Sequence, residues 1–108
     1  MSDRVPRDLT EQEAAVLAAM LSVASQQYSV GTLRVTGTCK CGCPTIHFND
    51  SPNARLLAKG GVRDSTDVVL LFVDEAGGLS SLELVWVSDQ PPAALPPPSS
   101  LVPVESGP

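Results

Sequence analysis

Apolar residues recur at three- and four-residue steps early in the chain: Ala14, Leu17, Ala18, Leu21 and Ala24, widened by Val16, Met20 and Val23. That spacing lays a single apolar stripe along a helix and predicts that the helix rests on a core. Thr10 and Glu13 mark its start. The Thr10 hydroxyl is placed to accept the Glu13 backbone N–H while the Glu13 carboxylate reaches back to the Thr10 N–H, a capping box. Glu11 and Glu13 in the first turn also suit the positive end of the helix dipole. The pattern predicts a helix over residues 11–25, ended by the polar residues before Tyr28 and by Gly31.

The period then changes to two. Leu33, Val35 and Gly37 alternate with Arg34, Thr36 and Thr38, which predicts a half-buried strand, and Thr45-Ile46-His47-Phe48 resumes the alternation. Between them Gly42 permits a positive φ and Pro44 cannot donate to a ladder, so a hairpin turn is expected at residues 40–43. Residues 49–67 carry Pro52, Gly60, Gly61 and several charges. Only 54–58 are apolar there, enough for a turn of helix or an irregular edge strand. Residues 68–73 and 79–87 are β-branched-rich apolar runs joined by Asp74-Glu75-Ala76-Gly77-Gly78, a strong hairpin signal. On the second run Leu82, Leu84 and Trp86 share the face that should meet the helix, opposite Ser81, Glu83, Val85 and Val87. Leu17, Leu21, Leu82, Leu84 and Trp86 are therefore expected to be buried together.

Seven of the ten prolines lie from Pro91 onward. Such a segment cannot enter a sheet interior or a helix and favours an extended polyproline conformation. Leu95, Leu101 and Val102 are the residues that would pin it to the domain. Removing everything from Pro97 is expected to leave stability nearly unchanged. The whole reads as an α+β fold, one N-terminal amphipathic helix packed on an antiparallel sheet of about four strands. It has a frayed terminus at 1–8, a single domain at 9–90 and a proline-rich tail at 91–108.

At 108 residues the chain is long enough for one core, and with 43% hydrophobic and 18% charged residues it should fold. The formal net charge is -5 with seven Lys and Arg in all. Nucleic acid and anionic membrane surfaces both call for a clustered basic footprint, so neither is expected as a partner. The uninterrupted apolar runs, residues 14–21 and 68–73 among them, are far below the roughly 20 residues that span a bilayer. The first twenty residues lack the charged-then-apolar order of a secretion signal, and a cytoplasmic protein is expected.

Three cysteines fall within five residues, Cys39, Cys41 and Cys43, with His47 four positions beyond. Thiolates and imidazole suit zinc, and these four are the candidate metal ligands. Zinc sites usually draw a second ligand pair from a distant segment, and the chain has no further cysteine and one histidine. The competing readings are three small thiols at a tight turn, a Cys39–Cys43 disulfide across the hairpin, and a thiol activated by Lys40 or His47. No cofactor is expected apart from zinc at this turn. Glu83 reads as a solvent-facing acid on the outer sheet face, and Asp64, Asp67, Asp74 and Glu75 as solvated turn residues. There is no phosphate-cradling glycine loop, nucleophile elbow or second histidine, and no catalytic residue is assigned.

The helix start Leu9-Thr10 with Glu13, the turn Cys41-Gly42-Cys43-Pro44 preceded by Cys39, and Gly78-Leu79-Ser80-Ser81-Leu82-Glu83 running to Trp86 resemble a family of small actinobacterial proteins with no established activity. His47 is outside that family's motif, which leaves three thiols one ligand short. The helix start and the late strand are also similar to immunity-type proteins, which act by binding a toxin. The leading expectation is a non-catalytic protein-binding domain of that kind. The alternatives are a metal or thiol site at the cysteine turn, and an enzyme whose polar residues the sequence does not group. An exposed apolar patch favours the first, a bound metal the second, and a deep carboxylate-lined pocket the third.

Overall fold

Thr10 opens the helix as its sequence directs. A computed structural model describes residues 6–24, 28, 30, 33–38, 43–49, 53–87, 89–90, 92 and 94–105. The Glu13 N–H donates to Thr10 Oγ1 at 3.1 Å and the Thr10 N–H to Glu13 Oε1 at 2.9 Å. The helix α1 runs Glu11–Leu21, ending four residues short of the expected boundary. Ser22 explains the difference: its hydroxyl donates to Ala19 O at 2.6 Å, and Ala24 N closes a three-residue turn on Leu21 O. Serine back-bonding of this kind slightly destabilises the helix at its end.

The expectation of a frayed N-terminus fails at Arg7 and Asp8. These form β1 (Arg7–Asp8), paired antiparallel with β2 (Arg34–Val35). Arg7 also grips Glu13 through two parallel hydrogen bonds, 2.8 and 3.0 Å. Burial pushes the Glu13 carboxyl up, but the Arg7 hydrogen bonds, the Thr10 N–H and the Arg7 charge outweigh it and hold the group below the usual glutamate value. A carboxyl lowered by folding contributes stability that is complete above its unfolded pKa and is lost as pH falls through the folded one. Glu13→Gln should therefore cost about 1–3 kcal/mol at neutral pH, and the deficit should shrink below about pH 4. Urea unfolding of both proteins at pH 7 and pH 3 measures this; a deficit equal at both would show that the charge is not its source.

The main sheet holds six strands in the order β3-β4-β7-β6-β5-β8, every neighbouring pair antiparallel. They are β3 (Gly37–Thr38), β4 (Ile46–His47), β5 (Arg55–Val62), β6 (Val68–Val73), β7 (Leu79–Val85) and β8 (Leu101–Glu105). The α+β class is as read from the sequence. The two strands beyond the expected four are β5 and β8.

β5 is a central strand where a turn of helix or an edge strand was expected. Its glycines misled, because one of them serves close packing. A Cβ on Gly60 would lie 2.7 Å from Met20 Sδ, so the glycine makes room for that side chain against the sheet. The hairpin between Val68–Val73 and Leu79–Val85 forms as expected. Gly77 takes φ +88°, and Asp74 Oδ1 accepts the N–H groups of Ala76 and Gly78 at 2.9 Å each.

The tail docks. Residues 101–105 form the outermost strand, paired with β5 alone, where the missing N–H of Pro103 is tolerated on an edge. Leu95 and Leu101 are buried, whereas Val102 points to solvent. Gln12 Nε2 reaches across to Leu95 O at 2.9 Å and Pro96 O at 3.2 Å.

The helix packs on β5, β8 and a short 3-10 turn, Pro98–Ser100. Val16, Leu17 and Met20 meet Val69, Leu71, Val73, Leu82, Leu84 and Leu101 in one core. Leu17, Leu82 and Leu84 are thus buried together as expected, Leu21 packs half-buried against them, and Trp86, half-buried, does not belong to that core. Among the described residues no helix is long and apolar enough to cross a membrane.

Candidate functional site

β3 and β4 pair antiparallel, with Gly37 opposite His47 and Thr38 opposite Ile46. Cys39 and Cys41, with the turn at 40–42, lie outside the described residues. Cys43 is a buried thiol, and His47 is half-buried beside Ser81. Among the described residues no group of three or more His, Cys, Asp and Glu could hold a metal ion. The described half of the proposed ligand set therefore supplies no metal centre by itself.

The surface the fold leaves open is the sheet face turned away from the helix. Because cross-strand partners share a face, the register assembles it in three rows. The first row is His47, Ser81, Phe72 and Leu56, the second Glu83, Leu70, Lys59 and Val104, and the third Val85, Val68, Gly61 and Val102. Seven of these twelve side chains are aliphatic or aromatic. Val85, Val102 and Val104 remain 46%, 49% and 62% exposed, and Leu56, Val68, Leu70 and Phe72 are half-buried. A sheet in a small domain ordinarily turns polar residues to water on its uncovered face. This one does not.

One corner of the face is polar. His47, Asn49, Ser80, Ser81 and Glu83 border a shallow depression of about 370 Å³ together with Ala54 and Phe72. Ser81 Oγ donates to Glu83 Oε2 at 2.9 Å, so its only proton is committed to the carboxylate and His47 does not serve it as a base. Asn49 is held from three sides: Nδ2 donates to Asp74 Oδ2 at 2.9 Å and Leu79 O at 3.2 Å, and Oδ1 accepts from Ser80 Oγ at 3.1 Å. These bonds fix the β6–β7 turn against β4 rather than presenting a reactive group. Glu83 faces outward as read from sequence, though half-buried and hydrogen-bonded.

Two other depressions were not foreseen. One of about 600 Å³ is apolar, lined by Leu9, Leu17, Leu21, Tyr28, Val30 and Leu33 among others; a shallower one lies at the acidic turn of Asp64 and Asp67. Neither is a deep pocket lined by carboxylates. Comparison with family models, with curated proteins and with solved structures finds no match to the chain.

The sequence reading set Ser81, Glu83 and Val85 on the outer face correctly but treated that face as solvated. The signal that would have exposed it is the run Val68 to Val73, which is apolar at every position and not at alternate ones. An unbroken apolar strand calls for cover on both faces.

Proposed function

We propose that this protein is a non-catalytic domain that works by contact with protein, through the outer face of its six-stranded sheet. The observation that carries this reading is the apolar character of that face, with Val85, Val102 and Val104 exposed around half-buried Val68, Leu70 and Phe72. Contiguous apolar surface on a small domain marks an interaction site, because leaving it in water forgoes about 25 cal/mol per Å² of burial. The shallow depressions and the commitment of the Ser81 hydroxyl to Glu83 favour contact over catalysis. The resemblance to immunity-type proteins points the same way.

A photo-reactive phenylalanine derivative placed at Val85 or Val102 tests the reading in cells that make the protein. Crosslinks to protein are expected from both positions and not from Ala15, which is exposed on the helix. Equal yields from Ala15 and Val85, or none from the sheet face, would sink it.

A further inference from the structure

Resting on that reading, we infer that the outer sheet face is covered by a second copy of this chain, the two sheets packing face to face about a two-fold axis that runs along β6 between them. The evidence is that the face complements itself. In its middle row Glu83 and Lys59 flank Leu70, one on each neighbouring strand. Rotation about an axis along β6 exchanges the two flanks, so Lys59 of each copy lies over Glu83 of the other and Leu70 lies over Leu70. The two charges sit about 9–10 Å apart within a chain, and packed sheets are separated by about 10 Å, a gap that these two long side chains span from opposite sides. The perpendicular two-fold axis would set lysine over lysine and glutamate over glutamate. The charges thus select one arrangement and oppose the other.

Gly61 is a second and independent observation. Gly60 is explained by Met20, but a Cβ on Gly61 would meet nothing within 4 Å in its own chain. Gly61 lies near the end of β5 but is paired on both sides, with Val68 and Val102, and a glycine so paired forfeits conformational entropy and side-chain packing. The same rotation that pairs Lys59 with Glu83 carries Gly61 of one copy over Val85 of the other, since the third row runs Val85, Val68, Gly61. The gap left by the missing side chain is the seat of the exposed valine. In the first row Phe72 meets Phe72 across the axis.

Sedimentation equilibrium of the full chain at about 1–500 µM reads the association directly. The wild-type chain should dimerise. Gly61→Val fills the seat of Val85 while meeting open space in its own chain, so it should weaken dimerisation at least tenfold without lowering the melting temperature of the monomer. Lys59→Glu and Glu83→Lys should each weaken it about tenfold, and the double exchange should restore it to within a few-fold of wild type. A chain that stays monomeric throughout, or a dimer indifferent to Gly61→Val and to both single exchanges, overturns the inference. If the chain is monomeric yet the photo-reactive group at Val85 captures a different protein, the inference falls and the contact function stands. If it is monomeric and nothing is captured, both fall.

Discussion

Removing residues 97–108 should unfold the protein or lower its melting temperature by at least about 15 °C, a change of several kcal/mol for a domain of this size. The segment carries β8, which pairs with Ala58–Val62 of β5 over five register positions, and it carries buried Leu101. Leu101 also closes the core below the helix, with Cδ2 3.5 Å from the Cβ position of Gly60. Loss of one buried leucine costs about 2–5 kcal/mol. Truncation also uncovers β5, exposing a fresh strand edge that invites aggregation. With total stability of about 5–15 kcal/mol, little remains. Thermal unfolding followed by circular dichroism measures this, and a transition within a few degrees of the intact chain would show that β8 is dispensable.

Proline content alone argues the opposite, a dispensable tail, and the positions between the prolines overrule it. Proline bars a segment from a sheet interior, and β8 is accordingly an edge strand. It does not bar an edge, where Val102 and Val104 face out while Leu101 faces in. β5 was missed for a related reason. Gly60 and Gly61 look like breakers in sequence, yet one makes room for Met20, a contact between residues forty positions apart that no local pattern encodes. The elements whose cause is local were legible: the capping box of Thr10 and Glu13, the Asp74–Gly78 turn, and the alternation that sets Leu82 and Leu84 opposite Glu83 and Val85. The outer face was only half legible. Its residues on β6 and β7 were placeable by alternation, but the three rows depend on the pairing of β5, expected at most as an irregular edge strand at 54–58 and bulged between Leu56 and Ala58, and of β8, which was not expected. At the cysteine turn, strand pairing across the segment was legible from Gly42 and Pro44. Convergence of Cys39, Cys41 and Cys43 on a metal depends on side-chain directions in a turn, which spacing does not fix.

Leu84→Ala should cost about 2–5 kcal/mol, the loss of a buried leucine and the cavity it leaves. Leu84 is 4% exposed, stands opposite Val69 and belongs to the core with Leu71 and Leu82. Its backbone N–H donates to Thr45 Oγ1 at 3.0 Å in a buried bond. Alanine keeps that N–H, so the cost isolates the side chain. The adjacent residue supplies the control. Val85 is 46% exposed on the opposite face, and Val85→Ala in the monomer should change stability by no more than about 0.5 kcal/mol. The comparison belongs at low protein concentration, where a face-to-face dimer has dissociated and Val85 is open. Urea unfolding followed by the emission of Trp86, the one tryptophan in the chain, reports both variants beside the site of change. Because side chains alternate strictly along a strand, a register slip of one residue would exchange the two costs. A small loss for Leu84→Ala with a large one for Val85→Ala would thus reverse the sheet, bury the three rows now assigned to the surface, and remove the face on which the contact function rests.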